Sequence, residues 1–292
     1  MNTEILIAKP EEGYALIDSG LEEKLERYGD QLLLRPDPQA LWNKKLPLTR
    51  WSEADGWYER KGKLGEWHTG KDFPKEWTIP LGGFTFLIRP TTFKHTGLFP
   101  EQLPNWEWVT ENAKQVNDSS KPLEILNLFA YTGGATLAAL RAGAQVTHVD
   151  ASKTAVSWAK KNAELSGFAD ASVRWIVDDV MTFVGREVKR GNTYDAIIMD
   201  PPAFGHGPKD ELWKIEEHYV PLIELCQKLL SQKPRFVLAS GYAAGYSSLA
   251  FGNSFEPFGA RYGGSITAGE LTIEEENSAR LLPAGIFTRW LQ

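Results

Sequence analysis

The sequence predicts an α/β fold: a mostly parallel sheet with helices between its strands, preceded by a small β-rich domain. Two observations predict the sheet. Residues 123–150, LEILNLFAYTGGATLAALRAGAQVTHVD, read as strand, glycine turn, helix, strand and acid. Two later apolar runs, 173–177 and 194–199, also end on acids, the first at Asp178 and Asp179 and the second at Asp200. Acids delivered at the ends of successive strands are what a ligand crevice at the carboxyl edge of a parallel sheet requires. The third observation concerns residues 1 to about 90, where tryptophan and tyrosine are dense and prolines and glycines interrupt every short apolar run.

Within 123–150, the run 125–129 has the length of a buried strand, and the chain then turns through Thr132, Gly133 and Gly134. Small and apolar residues from 135 to 142 form a helix that Gly143 stops. A second run, 146–149, ends on Asp150. A ligand lying across the strand end needs access to the backbone, and the paired glycines remove bulk there. An acid closing the next strand can accept from both ribose hydroxyls, which gives Asp150 its expected role. The turn lacks the G-x-G-x-x-G spacing of a dinucleotide site. Tyr131 and Thr132 crowd the helix N-terminus, an arrangement that suits a nucleoside ligand without phosphates and disfavours a nicotinamide dehydrogenase.

Composition narrows the class. Of 292 residues, 42% are hydrophobic and 24% charged, the balance of a soluble globular chain. No run approaches membrane-spanning length, and the N-terminal stretch carries acids without a sustained apolar core, so neither membrane insertion nor a secretory signal is expected. The single cysteine, Cys226, fits a cytoplasmic protein. Five histidines and one cysteine show no metal-ligand spacing, and no metal is expected. A net charge of −6 argues against strong non-specific affinity for nucleic acid.

The N-terminal region, 1–92, is assigned as an accessory domain with strands at 5–7, 14–17, 32–34, 57–60, 77–79 and 84–88, and a helical turn near 22–28. Trp42, Trp51, Trp57, Tyr58, Trp67 and Trp77 are either the core of this sheet or a stacking platform for nucleic acid. Arg27, Arg35, Lys44, Lys45, Arg50, Arg60, Lys61 and Lys63 make its basic surface. Residues 93–120 form a connecting segment in which Pro104 opens a helix running to about Val116. Residues 121–292 form the α/β domain.

Beyond Asp150, Ser152 caps a helix that ends before Gly167, and Val156, Ala159, Ala163 and Leu165 make its apolar side. The fourth strand leads into Asp200, Pro201, Pro202, Ala203 and Phe204. Two prolines fix the backbone and remove two donors, so carbonyls face the site. Asp200 can accept from an amino or ring N–H, and Phe204 can stack on a flat substrate. Residues 204–210, FGHGPKD, read as a mobile loop, in which His206 is either a proton acceptor or simply exposed. A helix is expected over 212–231, with Cys226 on its apolar face. Strands five, six and seven are expected near 235–239, 270–274 and 286–291, with Asn277, Ser278, Arg280 and Leu281 turned toward the target.

These motifs resemble those of Rossmann-like S-adenosylmethionine-dependent methyltransferases, and most closely the branch of bacterial 23S rRNA cytosine-C5 and guanine-N7 enzymes, where an N-x-F-x-Y-T-G-G turn is typical. The resemblance covers about two thirds of the chain. It implies a seven-stranded, mostly parallel sheet with an antiparallel last strand, and S-adenosyl-L-methionine as cofactor. Cofactor binding then falls to Asn127, Phe129, Tyr131, Thr132, Gly133, Gly134, Asp150, Ala151 and Ser152, with Asp200 beside them. Asp179 with the Val180 N–H, or alternatively Asp178, would read the adenine. The segment from Lys94 to Val109 resembles the branch's T-G-x-[FY]-x-D-Q stretch, which makes Thr96, Phe99 and Gln102 contacts to the methionine end; Glu101 stands where aspartate is usual. Asp200, Pro201, Pro202 and Phe204 would act on the acceptor, and Ala203 replaces a common lysine. An RNA acceptor, rRNA in particular, is expected. No PUA domain is evident. Cytosine-C5 methylation needs a cysteine thiolate after the fifth strand, in an S-C-S context. Ser240, Gly241 and Tyr242 stand there, so a cysteine-adduct mechanism is not expected. A small-molecule or protein methyltransferase, or a cofactor-binding protein with little catalysis, are the alternative readings.

Overall fold

The structure is a computed structural model that describes residues 1–61, 64–114, 121–242 and 245–292. In chain order the first part comprises β1 (Asn2–Ala8), β2 (Tyr14–Gly20), β3 (Glu23–Tyr28), β4 (Gln31–Pro36), α1 (Leu48–Trp51), β5 (Gly56–Lys61), β6 (Leu64–Thr69), β7 (Trp77–Leu81) and β8 (Phe84–Ile88). A single 3₁₀ turn, Pro100–Gln102, leads into α2 (Leu103–Lys114). The expected end of that helix near Val116, and Lys63, lie outside the described residues. Then follow β9 (Glu124–Leu128), α3 (Gly134–Arg141), β10 (Gln145–Asp150), α4 (Lys153–Leu165), β11 (Val173–Val177), α5 (Val180–Arg190) and β12 (Ala196–Met199). The chain closes with β13 (Phe204–His206), β14 (Leu212–Lys214), α6 (Ile215–Leu229), β15 (Phe236–Gly241), α7 (Ser248–Ser254), α8 (Glu256–Tyr262), β16 (Ser265–Glu274) and β17 (Leu281–Leu291).

Two compact units result, one of residues 1–6, 105–270 and 285–292, the other of 7–104 and 271–284. The first is built on a sheet ordered β1-β16-β17-β15-β12-β9-β10-β11. Strands β9, β10, β11, β12 and β15 run parallel, and β17 lies antiparallel to β15. All seven expected strands are present, and β1 adds an eighth at the edge. Apolar side chains of β9, β12, β15, α5 and α6, among them Leu126, Met199, Val237, Phe183 and Leu222, form its main core. Cys226 is fully buried there, as its helical periodicity indicates. The caps follow the residue types: Ser152 accepts from the Ala155 N–H, Asp179 from the Thr182 N–H, and Gly143 and Gly167 take φ of +84° just past their helices.

The second unit carries a five-stranded sheet, β2-β3-β4-β5-β6, and the β7–β8 hairpin. The stretch near 22–28, expected as a helical turn, is strand β3. Leu21 and Glu22 both adopt positive φ, +52° and +62°, which makes a tight two-residue turn and returns the chain against β2. The aromatics serve mainly as sheet core: Trp51 and Tyr58 are buried, and the indole N–H groups of Trp42, Trp67 and Trp77 donate to the carbonyls of Ser19, Thr91 and Tyr28. Trp57 is the exception, 46% exposed and stacked on His68 at 4.9 Å. The basic side chains are largely matched by acids. Arg35 pairs with the buried Glu26, Arg27 with Glu276, Lys44 with Glu23 and Arg50 with Glu53. Among the described residues no helix is long and apolar enough to cross a membrane.

Candidate cofactor and acceptor site

The strand-end acids converge on the carboxyl edge of the parallel strands. Leaving β9, the chain passes through Phe129 and Tyr131, both in the left-handed region at φ +53° and +45°. Such residues cost on the order of 1–3 kcal/mol each and persist only where the surroundings fix them. Here the surroundings do. The Asp150 carboxylate accepts from the Tyr131 N–H at 2.9 Å and from the Ser152 N–H at 2.8 Å. The buried Asn162 amide donates to the Thr132 carbonyl at 2.9 Å. Burial raises the pKa of Asp150, and its two backbone N–H donors pull the other way. Each of its oxygens accepts one of these bonds, so lone pairs remain for a diol.

Asn127 is buried in β9 and gives its amide to Thr136 Oγ1 at 2.9 Å, which in turn meets His148 Nδ1 at 2.9 Å. His148 lies wholly buried beneath the turn, where burial, assisted by the Lys160 charge, lowers its pKa to about 3 and keeps the imidazole neutral. The sequence pattern did not single out His148, Thr136 or Asn162. A histidine within an otherwise apolar strand was the available signal. Gly133 takes φ +90°, which favours glycine. Gly134 is small for a different reason: a Cβ there would stand 2.5 Å from Trp106 Cε2.

At the end of β11, Asp179 is nearly buried and spends Oδ1 on its cap, while Asp178 pairs with Arg186. At the end of β12, Asp200 is partly buried and Pro201 buried, while Pro202 and Phe204 are exposed, Phe204 to 57%. The stretch expected as a mobile loop is instead a hairpin: β13 pairs antiparallel with β14, so α6 begins at Ile215 rather than near 212. His206 is exposed and pairs with Asp210 at 2.9 Å. At the end of β15, Ser240 accepts from Asn105 Nδ2 at 3.4 Å. A Cβ at Gly241 would lie 2.8 Å from the Phe251 ring. Thr96, Phe99 and Gln102 lie in the other compact unit, where Thr96 and Gln102 are buried and Phe99 sits 5.2 Å from the His95 ring. Ser278 and Arg280, expected to turn toward the target, are held in that unit as well. Arg280 binds Asp18, Glu275 and the Ser19 carbonyl, and Ser278 binds Glu275.

The pattern of the S-adenosylmethionine-dependent methyltransferase family matches residues 34–225. The chain belongs to that family. The methyltransferase fold is shared with the crystal structure of an S-adenosylmethionine-dependent methyltransferase from Agrobacterium tumefaciens, at TM-score 0.93 and 38% identity, over 99% of this chain and 95% of that one. A candidate methyltransferase of Streptococcus mutans has the same fold at TM-score 0.70 and 20% identity, over 96% of this chain and 75% of that one. Among curated relatives, ribosomal RNA large subunit methyltransferase K of Neisseria meningitidis is 27% identical over 226 residues, 71% of this chain and 59% of that protein. The K/L methyltransferase of Pseudomonas putida strain W619 is 33% identical over 214 residues, 72% of this chain and 27% of that protein. The methyltransferase chain thus spans less than two thirds of the length of each of these relatives.

The crevice residues fit the cofactor of the family. Asp150 retains acceptor capacity, Asp179 keeps Oδ2 beyond its cap, and the glycine turn, residues 129–134, contains no lysine or arginine that would select a phosphate. S-Adenosylmethionine supplies a methyl group on a sulfonium, and the chain's task is to hold and orient what flanks it.

Proposed function

We propose that this methyltransferase modifies a base of ribosomal RNA at a nitrogen, without a cysteine adduct. The observation that carries the reading is the end of β12. Asp200 stands at the crevice, followed by two residues without backbone N–H groups and an exposed aromatic. Asp200 accepts from the acceptor's amino or ring N–H, the Pro201 carbonyl orients it, and Phe204 stacks on its face; the Pro202 carbonyl already accepts from the Trp213 indole N–H. Asp150 holds the ribose, and Asp179 and the Val180 N–H hold the adenine. Placement of donor and acceptor supplies most of the rate.

The wall at Gly241 supports a mechanism without a thiolate. A cysteine there could enter only by displacing Phe251, and Cys226 is buried in the core, its thiol pKa raised by that burial. The relatives named as rRNA large subunit methyltransferases support the RNA acceptor. The net charge of −6 and the acid-paired N-terminal cations favour a second reading, a protein or small-molecule acceptor.

The test is methyl transfer from labelled S-adenosylmethionine to unmodified 23S rRNA, with the product nucleoside identified by mass spectrometry. An N-methylated base is expected, and 5-methylcytidine would sink the thiolate-free mechanism. Label appearing only in protein or small-molecule fractions would favour the second reading. Asp200→Ala abolishes transfer while S-adenosylhomocysteine affinity stays within about tenfold, or ~1.4 kcal/mol.

A further inference from the structure

The hairpin β13–β14 stands between elements assigned to the two ligands, and its seats are specific. Trp213 is 3% exposed; its indole N–H donates to the Pro202 carbonyl at 2.7 Å, and its ring packs on Phe129 at 4.7 Å. One residue after β14, the Ile215 N–H donates to the Ala203 carbonyl at 3.1 Å. At the tip, Gly207 faces the adenine-side acid: a Cβ there would come 3.0 Å from Asp179 Cβ and would also strike the Glu211 side chain. The tip is closed by Gly207 N–H to the Glu211 carbonyl at 2.7 Å and Lys209 N–H to Glu211 Oε2 at 2.8 Å. The same hairpin carries the exposed Phe204, whose ring meets His206 edge-on at 5.1 Å.

A two-stranded hairpin is marginal by itself, so its order depends on what it is seated upon. One seat is the residue that opens the cofactor turn, Phe129. Another is the acid assigned to adenine, Asp179. The third is the acceptor motif, at Pro202. We propose that β13–β14 forms the adenine-side wall of the cofactor site, with Gly207 and Trp213 as its positioning residues, and that cofactor occupancy fixes Phe204 for the acceptor. This rests on the assignment of Asp179 to the adenine made above. A ligand bound better by the seated hairpin raises the seated population by the same factor, and the coupling is reciprocal. Cofactor and acceptor then bind cooperatively through the hairpin.

The proposal is tested by amide hydrogen exchange across residues 203–214 of the full chain, with and without S-adenosylhomocysteine, beside calorimetric titration. S-Adenosylhomocysteine is expected to slow exchange in this segment at least about tenfold. Gly207→Ala, which pushes the tip off Asp179, should weaken S-adenosylhomocysteine about tenfold with the melting temperature unchanged. Trp213→Phe keeps a ring against Phe129 but loses the bond to Pro202, and should lose most of the ligand-induced protection. Binding to the unaltered chain with no change in exchange at 203–214 would overturn the hairpin's role and leave the cofactor assignment intact. No binding to the unaltered chain would overturn the cofactor assignment itself. Should Gly207→Ala fail to fold, Trp213→Phe decides: undiminished protection in that variant refutes the proposal.

Discussion

Trp106 reaches from α2 to Gly134, and the geometry there separates two explanations for one glycine. The sequence reading assigned the pair Gly133 and Gly134 to ligand access. At Gly134 an added Cβ would collide with the Trp106 indole, 2.5 Å from Cε2, before it met any ligand. Gly134→Ala is therefore expected to cost about 2–3 kcal/mol of stability by overpacking. In a Trp106→Leu background the same change should cost under about 1 kcal/mol, since the obstructing ring is gone. Denaturant unfolding of the four proteins in the cycle checks this, and equal penalties in both backgrounds would return the glycine to the ligand. A sequence shows that a small residue is wanted but not what stands opposite, because Trp106 is remote along the chain. Asp150 was more legible. A carboxylate at a strand end is marked by its position alone, and the structure shows this one pinning Tyr131.

At the scale of elements, apolar runs of strand length became strands throughout, because burial on both faces of a parallel sheet needs little else. The failures lie where turn chemistry or a distant partner overrides local preference. Strand β3 has helix-forming residues, but the turn at Leu21 and Glu22 carries no Asn-Gly signal and lets Glu26 point into the unit, where Arg35 and Tyr14 receive it. The β16–β17 connection was equally opaque. Arg280 there is bound by Asp18 at 2.7 Å and Glu275 at 2.8 Å and lies over the Trp42 ring at 5.3 Å. Asp18 also accepts from the Leu46 N–H and the Trp51 indole, and both acids are 1% exposed. Removing the cation they share leaves Glu275 only the more distant Lys45 ammonium, at 3.9 Å, and takes from Asp18 its ion pair with Arg280. Arg280→Met should destabilise the N-terminal unit by about 3–5 kcal/mol. Hydrogen exchange of the β2 and β3 amides reads this locally, and Asp18→Asn added to the variant should recover part of the loss. A loss below about 1 kcal/mol would mean that solvent already reaches these acids.

For the whole molecule, pH acts on each unit through buried groups, and in one unit two such groups oppose each other. In the methyltransferase unit, burial holds His148 near pKa 3 against an ordinary value of 6.5. The unfolded chain then binds a proton that the folded one refuses, so this group's contribution is intact above pH 6.5 and is lost as pH falls below it. In the other unit, burial lowers His95 to about 4, with the same sign, while burial raises Glu101 to about 6 from 4.5. A raised carboxyl works in reverse: its contribution is present below about pH 4.5 and lost as pH rises through 6. Between pH 6.5 and 5, His148 should therefore cost its unit about 2 kcal/mol, at ~1.4 kcal/mol per pH unit, while Glu101 offsets part of the His95 penalty in the other. Stability measured from pH 7 to 5 should show His148→Gln closing on the unaltered protein by about 2 kcal/mol. Glu101→Gln should show the reverse, with its advantage largest at pH 7 and gone near pH 4.5. Parallel curves for either variant would mean that the group in question already titrates at its ordinary value, and that water reaches a site the fold seals.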